Sequence, residues 1–123
     1  MRDRSLAGQL ALTAETVEAN LGHGDQVHRP RPIDHLAGFR TRSAATAAGE
    51  ELTAAGYRVD GLYRRLVTVW LEFSAMTAVD HGTAAAFTRE IVGIVGRQGG
   101  RYDGWGGFLV PADAGDEGTS STS

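Results

Sequence analysis

The chain contains no cysteine and no lysine, and each absence excludes a class of chemistry. Without cysteine there is no disulfide, no thiolate nucleophile and no cysteine-based metal site. All 12 basic residues are arginines, and they stand against 15 acidic residues for a net charge of -3. A mainly electrostatic hold on nucleic acid needs a surplus of positive charge. We therefore expect no direct nucleic-acid partner.

Long apolar runs and a secretion signal are also missing. No stretch approaches the roughly 20 apolar residues needed to cross a bilayer, and residues 1–5 lack the apolar core of a signal peptide. The 123 residues suffice for one domain with a modest core. The sequence thus predicts a cytoplasmic protein without membrane contact. Its richness in Ala, Gly and Arg is typical of a GC-rich bacterial genome.

Hydrophobic spacing and turn residues divide the chain into alternating helices and strands. Three helices are predicted. The first spans residues 5–21, and the second begins at a cap on Thr41 or Ser43 and ends at Gly56. The third begins at a capping box at 77–80 and ends at Gly99. Strands are predicted at residues 33–39, 57–62, 66–73 and 101–110. Residues 5–110 then form a single domain, between disordered flanks at 1–4 and 111–123.

The order of these elements, a helix and then β-α-β-β-α-β, is typical of a ferredoxin-like α+β sandwich. In that fold a four-stranded antiparallel sheet carries two helices on one face. Right-handed crossovers place the first strand between the third and the fourth. We therefore expect Asp34 and His35 to lie beside Phe73 and residues 106–108, at one end of the sheet.

Asp34 and His35 are the first candidates for chemistry, because a carboxylate can orient an imidazole for acid–base catalysis. Adjacent strand residues point to opposite faces, however, so these two side chains cannot easily bond each other. A structural role for both is therefore favoured over catalysis. The four histidines lack metal-ligand spacing, and no metal site is predicted.

Trp70 lies in the most strand-like segment and faces away from Val69 and Leu71. Two interpretations stay open for it: a core or homodimer-interface residue, which is favoured, and a base-stacking platform of the RNA-recognition kind. The free sheet face, with Trp70 and Trp105 on it, would pack against the N-terminal helix or against a second copy. Before the first strand, the basic cluster at residues 29–31 is interpreted as a solvated loop rather than an anion site.

The most distinctive segment is Arg101-Tyr-Asp-Gly-Trp-Gly-Gly107. Glycine weakens a strand, so its repetition here indicates a close approach between this strand and the first one. Together with Pro30-Arg31-Pro32-Ile33-Asp34-His35 and Gly56-Tyr57-Arg58-Val59, in the same order, the segment resembles one known family. It is the family of RraB-like regulators of ribonuclease E activity, and the resemblance covers residues 6–110.

The resemblance implies a non-enzymatic adaptor that binds ribonuclease E, typically through its scaffold region, and restrains RNA decay. It implies no cofactor and no catalytic residue. We expect seven residues either to bind the partner or to hold the binding surface rigid: Arg31, Asp34, His35, Trp70, Tyr102, Asp103 and Trp105. The alternative from another class is a small-molecule-binding domain or enzyme with a pocket near Asp34, His35 and Asp103.

Overall fold

The computed structural model describes residues 5–112, which form three helices and a four-stranded antiparallel sheet. The helices are α1 (Leu6–Gly22), α2 (Arg42–Ala54) and α3 (His81–Arg97). The strands are β1 (Arg31–Phe39), β2 (Arg58–Arg65), β3 (Thr68–Thr77) and β4 (Arg101–Gly107). The α+β class and the antiparallel sheet are confirmed. Disorder was predicted at residues 1–4 and 111–123, and of these all but 111–112 lie outside the described residues; Pro111 forms an isolated β-bridge with Asp25.

The strand order is β2-β3-β1-β4, which confirms that the first strand lies between the third and the fourth. His35 pairs with Phe73 on β3, and Asp34 pairs with Gly106 on β4. The two segments that are distant in sequence therefore meet at one end of the sheet, as the antiparallel register predicted.

One face of the sheet carries all three helices described here. Along β1 the residues Ile33, His35 and Ala37 are buried, and α2 and α3 pack over them and their neighbours. Helix α1 lies beside α3, and the Gln9 side chain donates from Nε2 to the Tyr102 carbonyl oxygen at 2.8 Å. The N-terminal helix thus covers the outer edge of β4 instead of the free sheet face, and that part of the prediction is wrong.

The core fills the space between the sheet and the helices. Its largest fully buried side chains include Phe73, Ile33, Leu52, Leu71 and Ile91. Helix α2 contributes the small residues Ala45, Ala48 and Gly49 to its buried side, which lets its backbone lie close to the strands. The opposite sheet face carries no helix within residues 5–112, and we term it the open face.

Several element boundaries differ from the prediction, at both ends of β3 and at one end or more of the other strands, and two of the differences have a clear local cause. Leu66 and Val67 form the β2–β3 turn and do not begin β3; Leu66 adopts φ 57 and is 88% exposed. Strand β2 extends to Arg65 and β3 begins at Thr68, so the apolar residues Leu66 and Val67, which were predicted to begin β3, lie in the turn between them. Helix α3 is capped by Asp80, whose carboxylate accepts from the Thr83 N–H at 3.1 Å, because Thr77 still belongs to β3.

Candidate binding face of the sheet

Strand β1 sends Asp34 and His35 to opposite faces, as alternation predicted. Asp34 is exposed on the open face, whereas His35 is 3% exposed on the helix-covered face. The two side chains are therefore separated by the sheet itself, and they do not form an acid–base pair.

His35 sits among aromatic rings in the core. Its Nδ1 shares a hydrogen bond of 2.7 Å with the Tyr102 hydroxyl, and its ring stacks on Phe73 with centroids 5.1 Å apart. The edges of Tyr57 and Phe87 close the remaining sides. Burial lowers the pKa of His35 to about 4, and no residue within 5–112 bonds its Nε2. The imidazole is therefore a neutral core group at physiological pH.

Trp105 lies on the covered face, and its predicted place on the free face is wrong. The indole Nε1 donates to the Thr13 hydroxyl at 3.2 Å, and the ring meets Phe87 edge-on with centroids 5.4 Å apart. Tyr102 and Trp105 are an odd number of residues apart, so regular alternation would put them on opposite faces. A β-bulge at Asp103, with Gly104 at φ 114, shifts the phase and brings both rings under α1 and α3.

The glycines of β4 have two different roles. A Cβ at Gly107 would lie 2.7 Å from Ile33 Cδ1 and 2.8 Å from the Pro32 carbonyl oxygen, so only glycine fits beside β1 there. At Gly104 and Gly106 a Cβ would meet nothing within 4 Å among the described atoms. These two glycines leave space on the open face, beside Asp34.

That space is a shallow cleft of about 600 Å³ on the open face. Four carboxylates line it, and we term them the acidic half of the open face: Asp34, Asp60, Glu72 and Asp103. Arg58 is the cation beside them; its Nε lies 2.7 Å from Asp60 Oδ1, but its side chain is 81% exposed. Leu36 forms an apolar part of the floor. Among residues 5–112, the cleft is therefore lined by four carboxylates and one guanidinium.

Asp60 stays ionised within this cluster. Burial, the largest single effect, raises the pKa of Asp60. Hydrogen bonds from Ser74 and Arg58, together with the charge of Arg58, lower it by more, so the pKa lies below its usual range.

Arg31 lies away from the open face, in a buried link that the sequence analysis missed. It is 3% exposed, and its Nη1 donates to both Asp25 carboxylate oxygens at 3.0 and 2.8 Å. Asp25 Oδ1 also accepts from the Val110 N–H at 2.7 Å. Of the residues 29–31 expected to form a solvated loop, Arg29 and Pro30 are exposed, but Arg31 is buried and begins β1. Residues 108–110 were predicted as strand, but they follow β4, and Val110 is bound to the Asp25–Arg31 pair. No spacing rule identifies Asp25.

At the other end of the open face lie Trp70 and several arginines. Trp70 is half-buried and pairs with Gly38 and Tyr63 across the sheet, outside the core. We term the set Tyr63, Trp70, Arg40, Arg65 and Arg101 the aromatic–arginine half of the open face. The open face is thus divided into two chemically different halves.

Residues 5–112 show no structural signature of a metal site or of a membrane-spanning helix. Among residues 5–112, no group of three or more histidine or acidic side chains is arranged to hold a metal ion. None of the described helices is both long enough and apolar enough to span a bilayer.

Comparison with known proteins gives one family. The family described as Regulator of ribonuclease activity B, RraB, matches residues 11–107. Because the match spans most of the chain, the protein belongs to this family, which confirms the resemblance found in the sequence. No curated protein matches the chain. The matched range contains all four strands, and so it contains both halves of the open face.

Proposed function

We propose that the protein is a non-enzymatic, protein-binding regulator of a ribonuclease in the bacterial cytoplasm, and that its target is ribonuclease E. The observation that carries this proposal is the family match over residues 11–107. The strand order, with β1 between β3 and β4 behind a leading helix, further supports a ferredoxin-like sandwich. Such a sandwich leaves one sheet face available to a partner.

We propose the acidic half as the surface that meets the nuclease. Among residues 5–112, its four carboxylates outnumber the one guanidinium that lines it, so it complements a partner segment rich in Arg or Lys. Gly104 and Gly106 leave room for that segment to lie across β4, and Leu36 offers it an apolar contact. Charge of this kind speeds the encounter and selects the partner more than it adds affinity.

The rival function, a small-molecule site near Asp34, His35 and Asp103, has less support. The His35 imidazole lies on the other side of the sheet, so the cleft holds no carboxylate–imidazole pair. The cleft is open and four carboxylates line it, unlike the enclosed, predominantly apolar pockets that hold most small ligands.

The test is affinity capture of ribonuclease E by the wild-type chain, together with messenger half-lives on overexpression. Gly106→Arg should weaken capture about tenfold, because it places a bulky cation in the acidic half where the backbone leaves open space. Gly96→Arg is the matched control, since Gly96 is exposed on α3 and equally unobstructed. Thermal melting checks that both variants fold. Wild-type protein that captures no ribonuclease and leaves messenger half-lives unchanged would refute the proposal.

A further inference from the structure

The aromatic–arginine half is built from one row of residues across the sheet. Tyr63 pairs with Trp70, Trp70 with Gly38, and Gly38 with Arg101. Because paired residues share a face, the Tyr63, Trp70 and Arg101 side chains all leave the sheet on its open side. They lie on the same strands as the acidic half, one row further along.

The two aromatic rings of this row are available at the surface. A Cβ at Gly38 would lie 3.0 Å from Trp70 Cζ3 and 3.3 Å from Cη2, so the indole leans over β1 at the one position without a side chain. Tyr63 is 40% exposed. Neither ring packs against another aromatic ring within residues 5–112. Both rings therefore keep a surface for a stacking partner.

The arginines around these rings carry charge that the described chain does not neutralise. Arg65 follows Tyr63 by two residues on β2 and shares its face. Arg40 directly follows the last residue of β1, at the end of the sheet where Arg101 begins β4. None of Arg40, Arg65 and Arg101 forms an ion pair with a residue in 5–112. Arg40 and Arg101 also line a cleft of about 350 Å³ at the end of β1. Positive charge and aromatic surface are thus combined at one place.

We propose that the aromatic–arginine half binds a short segment of single-stranded RNA. One base stacks on Trp70 and its neighbour on Tyr63, while Arg40, Arg65 and Arg101 contact the phosphates. Stacking rings beside a basic groove are the combination that sequence-tolerant single-strand binding uses. The acidic half, one row away, repels further phosphates and limits the contact to a few nucleotides.

Two other occupants fit this surface less well. An acidic peptide would use the arginines and leave both rings without a partner. A symmetric second copy would bring the same arginines of both chains together, because a two-fold interface places one patch against itself. The net charge of -3 argued against nucleic acid only as an average over the chain. This inference goes beyond the proposed function, since it does not require the nuclease to bind.

The test is fluorescence anisotropy with labelled ten-nucleotide oligoadenylate and oligouridylate at low salt. Wild-type protein should bind both, with an affinity that falls with salt at a log–log slope of about -2 for three phosphate contacts. Trp70→Ala should weaken binding about tenfold through the loss of one stacked base, and Trp70→Phe should retain most of it. Arg65→Ala should weaken binding about fivefold. Arg64→Ala, the matched control, should change it less than about twofold, because Arg64 pairs with Val69 on the other face.

Three results would overturn the proposal. The first is equal RNA binding by wild type, Trp70→Ala and Arg65→Ala. The second is a labelled hexaglutamate peptide that binds as tightly as RNA and is insensitive to Trp70→Ala. The third is self-association in light scattering that Trp70→Ala abolishes, without any RNA binding. If Trp70→Ala does not fold, the measurement on this variant is replaced by titration of wild-type protein with unlabelled RNA, followed by tryptophan fluorescence. Quenching of the fluorescence supports the proposal, and its absence overturns the proposal.

Discussion

The covered face and the open face of this sheet are made by alternate residues of the same strands, yet they differ in how their polar groups are satisfied. On the covered side, Arg31, His35 and Gln9 are buried and each has a hydrogen-bond partner inside the fold. On the open side, Asp34, Glu72 and Arg65 face solvent. The covered face holds the fold together, whereas the open face is the one that we propose for binding, so the effects of substitutions on stability and on binding should separate by face.

The largest expected effect is the loss of the buried Asp25–Arg31 pair. Arg31→Ala leaves the Asp25 carboxylate buried without its cation, and the free energy of unfolding should fall by about 3–5 kcal/mol. Urea unfolding followed by circular dichroism measures this loss. Arg58→Ala is the control, since it breaks an exposed ion pair on the open face and should cost less than about 1 kcal/mol. Equal losses in the two variants would contradict the division between faces.

The second effect is a pH dependence that comes from His35. Its pKa is about 4 in the folded protein and 6.5 in the unfolded chain. Between these values the unfolded chain binds a proton that the folded protein does not, so stability falls as the pH drops from about 6.5 to about 4. The total loss should approach about 3 kcal/mol.

Urea unfolding at several pH values between 7 and 4 measures this slope. His35→Phe, which keeps a ring against Phe73 and removes the titrating group, should lower the slope in this window. An unchanged slope in the variant would show that other groups carry the pH dependence.

The third and smallest effect compares two neighbouring glycines of β4. Gly107→Ala places a methyl group against Ile33 and the Pro32 carbonyl oxygen, and it should destabilise the protein by about 1–3 kcal/mol. Gly106→Ala points into the open cleft and should change stability by less than about 0.5 kcal/mol. Thermal melting of the two variants compares them directly. Similar melting temperatures would mean that β4 does not need its close approach to β1.

The sequence was sufficient for the parts of the fold that follow simple geometric rules. Handed crossovers and antiparallel pairing placed Asp34 and His35 beside Phe73 and residues 106–108, and the structure pairs Asp34 with Gly106 there. Alternation separated Asp34 from His35. The side of Trp105 was missed because the bulge at Asp103 inserts one residue, which a two-residue period does not reveal. The Leu66-Val67 turn was missed because its residues are typical of strands and not of turns.

The division of the open face into an acidic half and an aromatic–arginine half could not be predicted from the sequence either. Each half collects residues from different strands, and the total charge averages the two halves. Similarly, the ion pair between Asp25 and Arg31 spans an irregular loop, and such a loop has no hydrophobic periodicity from which the pair could be predicted. These features depend on register and loop path, which only the assembled structure supplies.

The proposed binding of ribonuclease E through the acidic half is tested by calorimetric titration of the nuclease scaffold region into wild-type protein and two charge-matched variants. Glu72→Lys reverses a charge in the acidic half, whereas Glu50→Lys makes the same change on the exposed side of α2. We predict that Glu72→Lys binds about tenfold more weakly than wild type at an unchanged melting temperature, and that Glu50→Lys binds like wild type. Equal affinities for the two variants would contradict the assignment of the open face as the binding surface.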